Sequence, residues 1–482
     1  MSDIVIVKKH DEVHDRIICE PGIAMEISSY FTFDVPGAKF TPLYRNKVWD
    51  GKIRLFNPMV SLLYCGLRQH LEQFCKGRDY VVEYEGQFGD TEFSLHEANE
   101  FVSRLQPKHA PRDYQLDAFV HAVRKRRALL LSPTGSGKSL IIYLLSCYYR
   151  SKTLVIVPTT SLVHQMASDF EDYGLPEGMI HKIMSGHEKD SKQPFVISTW
   201  QSIFKMPKKW FDQFDVVIGD EAHLFKAKSL TSIMSKMTGC KYKFGFTGTL
   251  DGTQTNKLVL EGLFGPVRRV TTTADLMGQK HLAELTIKCL LLKYPDDVRK
   301  IASKYDYQAE MDFLVRSEKR NQFIKNLALS LDGNTLLLFQ YVEKHGKVLY
   351  DMLSKEAVDR SVYFISGAID GEKRDEIRKI IETETNAVVV ASYGTSSTGI
   401  NIRNLSNVIF ASPSKSRVRN LQSIGRGLRT SETKSSATLY DIADDLSWKS
   451  SRNHTLNHFV ERVKIYNGEQ FKYKVYNIDL YT

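Results

Sequence analysis

Residues 128–139 read ALLLSPTGSGKS, an apolar run followed by a glycine-rich turn, a lysine and a serine. A helix-like run, LIIYLLSCYY, follows at residues 140–149. A glycine-rich turn between a strand and a helix points backbone N–H groups and the positive end of the helix dipole at a bound phosphate. The pattern G-x-x-x-x-G-K-[ST] is complete except at its first position, where Ser132 replaces glycine. The stretch therefore predicts a nucleotide-phosphate site.

An acidic pair further along the chain supports this prediction. The segment VVIGDEAH, residues 216–223, ends an apolar run on two carboxylates. Lys138 is expected to reach the β- and γ-phosphates, while Ser139 and Asp220 hold Mg²⁺. Glu221 is expected to orient and polarise the attacking water. Two solvated carboxylates at a strand end are the alternative interpretation.

Short apolar runs alternate with helical patterns along two stretches of the chain. The strand candidates of the first stretch are Ala128–Leu131, Thr153–Val157, Phe195–Ser198, Val216–Ile218 and Lys243–Phe246. Those of the second are Thr335–Phe339, Ser361–Ile365, Ala387–Ala391, Asn407–Ala411 and Thr438–Ile442. Nearly all-apolar strands separated by helices are typical of buried parallel sheets. We predict an α/β fold with two tandem parallel-sheet domains, 101–275 and 276–482, behind a small mixed α/β domain at 1–100.

Composition and charge restrict the class of protein. The 482 residues carry a net charge of +10, but residues 1–100 hold 11 Lys and Arg against 16 Asp and Glu, which leaves +15 for residues 101–482. A basic body suits a polyanionic partner. The six scattered cysteines form no C-x-x-C pair, which fits a reducing compartment without a zinc site. Without a signal peptide or an 18-residue apolar run, we expect a cytoplasmic protein with no membrane span.

A third motif lies near the end of the chain, at QSIGRGLR, residues 422–429. A helix would place Gln422, Arg426 and Arg429 on one face. Two arginines on one face suit stabilisation of charge on the γ-phosphate, the arginine-finger role. A basic helix facing nucleic acid, or simply solvated charge, is the alternative.

Taken in order along residues 112–429, these motifs resemble those of the superfamily 2 helicases. PRDYQ (111–115) resembles the adenine-recognising element, VPTT (157–160) and STWQ (198–201) resemble strand-gripping motifs, and SYGTSSTGIN (392–401) resembles the motif that touches nucleotide and backbone. The resemblance implies two RecA-like domains that use ATP and Mg²⁺. The nucleotide-binding residues that it implies are Arg112, Gln115, Thr134, Gly135, Ser136, Gly137, Lys138, Ser139 and Gln422. The coupling residues that it implies are His223, Thr247, Thr249 and Gly399.

The acidic front domain contains one basic segment, KFTPLYRNKVWDGKIRLF, residues 39–56. Two strand-like runs around Asp50-Gly51 predict a hairpin. Cations bind backbone phosphates and an exposed aromatic stacks on an unpaired base, although packing of Trp49 and the other aromatics in a core is the alternative. The DNA-binding residues that we predict are Lys39, Arg45, Lys47, Lys52 and Arg54 here, with Thr159, Thr160, Gln201, Lys415 and Arg417 in the parallel-sheet domains.

Within superfamily 2, the acidic front domain, WDGK (49–52) and GFTGTLDG (245–252) most resemble the phage recombination and repair helicases of the XPB-like group. This resemblance implies an ATP-dependent DNA helicase or translocase acting on forks, Holliday junctions, R-loops or D-loops in replication, recombination and repair. It also implies the host cytoplasm, and recombination or replication proteins as partners. The residues alone predict only an ATPase motor on a polyanion. An RNA helicase, the motor subunit of a larger DNA-processing complex and an ATP-binding clamp without turnover remain alternatives.

Overall fold

The computed structural model describes residues 3–86, 88–224, 227–250, 254–367, 371–394, 404–413 and 436–481. The chain divides into two compact units, Met1–Ser132 with Gly137–Val270, and Thr271–Thr482 with Pro133–Ser136. The described residues form a small mixed sheet, a two-stranded pair and two seven-stranded parallel sheets, which confirms the predicted fold class. Domain boundaries at residues 100 and 275 stay a prediction. None of the described helices is long and apolar enough to cross a membrane.

Residues 4–85 form the small mixed sheet and its flanking helices. The strands are β1 (Ile4–Lys9), β2 (His14–Ile18), β3 (Thr32–Asp34), β4 (Lys52–Arg54), β5 (Phe56–Asn57), β6 (Leu62–Tyr64) and β7 (Val81–Glu85), and the helices are α1 (Pro21–Tyr30), α2 (Pro42–Arg45) and α3 (Arg68–Lys76). The next helix, α4 (Leu95–Leu105), packs through Ala98 into the core around the first parallel sheet. The sheet order is β5-β6-β2-β1-β7, and β3 pairs separately with β4. Only β1 and β7 run parallel. Val5, Val7 and Ile17 point alternately inward and are buried, as the period-2 pattern of a half-buried strand requires.

The first parallel sheet is the central layer of residues 113–269. Its strands are β8 (Arg127–Leu131), β9 (Thr153–Val157), β10 (Ile180–Ile183), β11 (Phe195–Thr199), β12 (Val216–Gly219), β13 (Tyr242–Thr247) and β14 (Val267–Arg269). Its helices are α5 (Asp113–Lys125), α6 (Lys138–Tyr148), α7 (Thr160–Asp172), α8 (Trp200–Ile203), α9 (Lys208–Phe211), α10 (Ala227–Lys236) and α11 (Gln254–Phe264). The strand order is β10-β11-β9-β12-β13-β8-β14. Strands β9, β11 and β12 are buried along their whole length, because helices cover both faces of a parallel sheet.

The second parallel sheet repeats this architecture in residues 273–479. Its strands are β15 (Glu284–Lys293), β16 (Asn334–Phe339), β17 (Val362–Ile365), β18 (Val388–Ser392), β19 (Leu405–Phe410), β20 (Ser436–Asp445) and β21 (Tyr473–Asp479). Its described helices are α12 (Thr273–Gly278), α13 (Asp296–Ala302), α14 (Tyr307–Arg316), α15 (Glu318–Ser330), α16 (Lys347–Glu356), α17 (Gly371–Thr383) and α18 (His454–Gly468). The strand order is β17-β18-β16-β19-β20-β15-β21. Counted from the first strand of each sheet, this order is the same as in the first parallel sheet, so the chain uses the same βαβ arrangement twice.

Buried ion pairs hold helices onto β20 of the second sheet. Arg320 of α15 donates from Nε to Asp444 over 2.8 Å, and both side chains are fully buried. Arg462 of α18 pairs with Asp441, which also accepts from the Tyr466 hydroxyl over 2.7 Å. A buried charge is tolerated only when it is paired and hydrogen-bonded, so each pair admits one packing of its helix.

The predicted hairpin at residues 39–56 is wrong in its first half. Instead of a strand, the chain forms α2, whose N-terminus is capped by the Thr41 hydroxyl accepting from the Tyr44 N–H. Proline at the first helical position and threonine before it are helix-start signals, and they override the alternating aromatics. The strand that remains, β4, pairs antiparallel with β3. The ten strand candidates of the parallel sheets are confirmed as β8, β9, β11, β12, β13 and β16–β20.

Close backbone packing joins the small sheet to α11. A Cβ at Gly66 would lie only 1.9 Å from the carbonyl oxygen of Glu261. The same glutamate places Oε2 3.0 Å from His70 Nε2. Arg127, the first residue of β8, donates to the carbonyl of Glu12. Because Arg127 begins β8, its contact with Glu12 lies at the edge of the first parallel sheet where the strands begin.

The close contact at Gly66 predicts how a substitution there changes the stability of the protein. Gly66→Ala should lower the free energy of unfolding by about 1–3 kcal/mol, because the new Cβ forces one backbone segment away from another. Urea or thermal unfolding of the whole chain measures the change.

Gly22→Ala is the matched control. A Cβ at Gly22 meets nothing within 4 Å, and alanine is preferred to glycine within a helix such as α1 by roughly 0.5–1 kcal/mol. This variant should be as stable as the parent or more so. Equal unfolding midpoints for Gly66→Ala and Gly22→Ala would contradict the prediction, because they would show that the backbone near Gly66 accommodates a Cβ without loss of stability.

Candidate nucleotide site and nucleic-acid contacts

Five of the segments singled out in the sequence lie at one edge of the first parallel sheet. They follow the carboxyl ends of β8, β9, β11, β12 and β13, which are neighbours in the order β11-β9-β12-β13-β8. Ligands of parallel α/β sheets bind at this edge, outside the carboxyl ends of the strands. This edge is therefore the candidate nucleotide site.

The phosphate loop, Ser132–Ser139, depends on two glycines with left-handed backbones. The φ angles are +85° at Gly135 and +74° at Gly137, which glycine adopts without the strain that a side chain would bring. Helix α6 begins directly afterwards at Lys138 and runs for 11 residues. Its first N–H groups, which have no partner within the helix, consequently adjoin the loop and favour an anion there.

The acidic pair lies beside the loop lysine. Lys138 Nζ is 3.3 Å from Glu221 Oε1 and also donates to the carbonyl of Ser132 over 3.5 Å. The Glu221 N–H donates to Asp220 Oδ1 over 2.9 Å. Glu221 has φ +50°, a strained conformation for a residue with a side chain, of the kind that clusters at functional sites. The structure thus brings Lys138, Asp220 and Glu221 together.

The two carboxyl groups of this cluster have opposite pKa shifts. Burial and the adjacent Glu221 charge raise the pKa of Asp220 to about 7. Burial also opposes ionisation of Glu221, but the Lys138 ammonium and His223 outweigh it and lower the pKa of Glu221 below its ordinary value. Two carboxyls share one ammonium here, so a further cation beside Asp220 would favour its ionised form.

A chain of hydrogen bonds joins β12 to β13. His223 Nδ1 lies 2.6 Å from Thr247 Oγ1, and the Thr247 hydroxyl donates to the carbonyl of Thr249 over 2.7 Å. Because the single hydroxyl proton of Thr247 goes to Thr249, the Nδ1–H of His223 is the donor in the first bond. His223 Nδ1 is also 3.4 Å from Glu221 Oε2. The three predicted coupling residues of the first parallel sheet therefore form a chain of contacts that runs from the catalytic candidate Glu221 through His223 and Thr247 to Thr249.

The adenine-recognising candidates lie against the phosphate loop. Gln115 is buried and accepts from the Arg112 N–H over 2.8 Å. Its amide donates to the carbonyl of Gly137 over 3.2 Å, and a Cβ at Gly137 would lie 2.5 Å from the same nitrogen. The Arg112 guanidinium donates to the Tyr114 hydroxyl over 2.9 Å. Glycine at position 137 is thus needed for its φ angle and for space.

The remaining loop residues have local partners, and one of these partners was not expected from the sequence. Thr134 lies in the turn, which Ser136 closes by donating its hydroxyl to the carbonyl of Pro133 over 2.7 Å. The Ser139 hydroxyl lies 2.7 Å from that of Tyr173. Burial raises the pKa of Tyr173 to about 12, so its hydroxyl stays neutral. No sequence pattern links these two residues, because most of α6, all of β9 and α7 lie between them along the chain.

The predicted strand-gripping residues lie at the ends of β9 and β11. Thr159 caps α7 by accepting from the Leu162 N–H over 3.4 Å, and Thr160 is exposed. Gln201 donates from Nε2 to the carbonyl of Pro158 over 3.2 Å. A hydrogen bond therefore joins the two motifs at the sheet edge.

The predicted DNA contacts of the small domain lie around α2 and β4. Lys39, Arg45, Lys47 and Lys52 are exposed. Arg54, also exposed, is paired with Asp50. The described structure therefore leaves four of the five cations on the surface without an acidic partner.

Six of the predicted site residues lie outside the described residues. They are Gly399, Lys415, Arg417, Gln422, Arg426 and Arg429.

Three family models match successive parts of this chain. Residues 3–85 match the family of DNA helicase UvsW N-terminal domains, residues 108–252 the res subunit of type III restriction enzymes, and residues 318–431 the helicase conserved C-terminal domain. The DNA 3'-5' translocase XPB2 of Sulfurisphaera tokodaii is 26% identical over 203 residues, 42% of this chain and 44% of that protein.

The similarity to one phage protein extends along the whole chain. The ATP-dependent DNA helicase uvsW of Enterobacteria phage T4 is 37% identical over 499 residues, which cover 98% of this chain and 99% of the relative. The crystal structure of T4 UvsW has a TM-score of 0.53 at 35% identity, with both chains covered completely. The chain belongs to the UvsW family of ATP-dependent DNA helicases.

Proposed function

We propose that this helicase is a translocase that acts on branched DNA, such as forks, Holliday junctions, R-loops and D-loops, in phage replication, recombination and repair. The observation that most directly supports an ATP-driven motor is the contact between Lys138 and Glu221 at 3.3 Å, beside the buried Asp220. A phosphate-binding lysine, a carboxylate that orients water and a buried metal ligand are the parts that hydrolysis of ATP requires.

The roles at the phosphates follow from chemistry and position. Lys138 and the α6 N-terminus bind the β- and γ-phosphates, and Glu221 orients and polarises the attacking water. Arg426 and Arg429 supply the arginine finger, and Gln422 binds the nucleotide with them. A finger from a separate domain makes hydrolysis depend on closure, which is how chemistry becomes movement.

Mg²⁺ fits the residues available at this edge. Among the residues described, no group of three or more His, Cys, Asp or Glu side chains forms a metal site. Mg²⁺ is commonly bound through one or two protein ligands together with substrate phosphates, and Ser139 with Asp220 provides that number. When bound, the ion neutralises charge on the phosphates.

The remaining parts couple hydrolysis to DNA. His223, Thr247 and Thr249 transmit the state of Glu221 to the sheet edge, and Gly399 serves the same purpose in the second parallel-sheet domain. Backbone phosphates contact the side chains at Lys39, Arg45, Lys47, Lys52, Arg54, Thr159, Thr160, Gln201, Lys415 and Arg417. Contacts with backbone phosphates carry no information about the base sequence, as a translocase requires. Arg112 and Gln115 read the adenine.

The proposed organisation has three domains, 1–100 for DNA recognition and 101–275 with 276–482 for the motor. We place the protein in the cytoplasm of the infected host, where recombination and replication proteins are its partners. This placement follows from the phage relative rather than from any feature of the site.

The preference for branched DNA is a measurable prediction. Steady-state ATPase activity at fixed salt should be stimulated most by a fork or four-way junction, less by linear duplex or single strands, and least by structured RNA. Equal or greater stimulation by RNA would contradict the DNA assignment and favour an RNA helicase. Fixed salt is essential, because phosphate contacts make every affinity depend on ionic strength.

Replacing the proposed water-orienting carboxylate tests the chemistry separately. Glu221→Gln keeps the shape and loses the charge, so turnover should fall at least about 100-fold while ATP binding is kept. Turnover is measured by phosphate release, and binding by a fluorescent ATP analogue. The exposed Glu177 of the same unit provides the control, and Glu177→Gln should match the parent. Turnover in Glu221→Gln equal to that of an active parent would contradict the proposed role of Glu221, whereas a parent that binds ATP with negligible turnover would support the clamp alternative.

A further inference from the structure

One surface of the small domain combines positive charge with exposed apolar side chains. We call residues 38–48 the basic tip; its sequence, AKFTPLYRNKV, contains three cations and no acidic residue. Phe40 is 77% exposed, Leu43 51% and Val48 72%. An exposed aromatic flanked by apolar and cationic groups is costly in water unless a partner covers it.

The basic tip is held by its own backbone. Phe40 N–H donates to the carbonyl of Gly37 over 3.0 Å, Thr41 N–H to that of Ala38 over 2.9 Å, and Val48 N–H to that of Leu43 over 2.9 Å. These bonds fix the tip, so little conformational entropy would be lost when a ligand binds.

The other three aromatic side chains of residues 39–56 already contact neighbouring groups. Phe56 is 1% exposed and belongs to the core of the small domain. Tyr44 lies over Gly51, where an added Cβ would be 3.0 Å from two ring carbons. Trp49 is half-buried, and its indole N–H donates to the carbonyl of Lys52 over 2.8 Å. Phe40 is therefore the aromatic residue of this range whose ring is open to solvent.

We propose that Phe40 stacks on an unpaired base at a DNA branch point while Lys39, Arg45 and Lys47 bind the flanking phosphates. None of these three cations has an ion pair among the described residues, so their charge is available to a polyanion. Aromatic stacking tolerates any base because every base has a π-face, and an unpaired base distinguishes a branch from a continuous duplex. This inference rests on the proposed function and assigns the recognition of the branch to one residue.

The test compares the exposed Phe40 with an equally exposed apolar residue of the same domain. Phe40→Ala should weaken binding to a fork about 5- to 150-fold, the range for one stacked base, with a smaller change for linear duplex. Met59, which is 93% exposed, provides the control, and Met59→Ala should keep the fork-to-duplex affinity ratio of the parent. Phe40→Leu keeps the apolar surface without the ring and should behave like Phe40→Ala.

A fork with an abasic nucleotide at its first unpaired position completes a double-mutant cycle. The parent chain should lose affinity for this fork, and Phe40→Ala should lose nothing further, because the stacking partner has already been removed. Additive losses, or a fork-to-duplex ratio for Phe40→Ala equal to that of Met59→Ala, would overturn the stacking proposal. A parent whose ATPase ignores all DNA would instead contradict the proposed function.

Discussion

Two neighbouring carboxyl groups, the buried Asp220 and the partly buried Glu221, share one ammonium, and the candidate site depends on this constraint. Lys138 lies 3.3 Å from Glu221, and burial beside Glu221 raises the pKa of Asp220 to about 7. Nucleotide phosphates would bring more negative charge to the same place, which needs a further cation.

The positions of these charged groups are set by backbone geometry more than by side-chain flexibility. Gly135, Gly137 and Glu221 all have positive φ angles, and each follows the end of a buried parallel strand within a few residues. Neighbouring strands hold these turns at fixed separations, because the hydrogen-bonded register of a parallel sheet cannot slip without moving buried side chains. The strain at Glu221 is consistent with a site in which the position of one carboxylate matters more than local stability.

The buried parts of the fold were predictable, and the edges and local caps were not. Strands such as Thr153–Val157 are apolar throughout, so their periodicity identifies them directly. Strands β10 and β14 were missed because Ile180–Ile183 and Val267–Arg269 mix polar and apolar residues at the sheet margins. Strand β15 was missed as well, because polar residues interrupt the first half of Glu284–Lys293. The hairpin at residues 39–56 failed because a threonine cap outweighed β-propensity. Tyr173 could not be found at all, since its contact with Ser139 exists only in three dimensions.

Net charge is a poor guide to where DNA binds in this chain. Some of the positive charge of residues 101–482 serves the fold, since Arg320 and Arg462 are buried in ion pairs and Lys243 and Arg360 donate to backbone carbonyls. Conversely, the acidic small domain presents cations that have no ion-pair partner among the described residues. Charges more than about 8–10 Å apart are largely screened at physiological salt, so the local arrangement at the basic tip outweighs the domain total. A domain of net charge −5 can therefore bind a phosphate backbone through one surface.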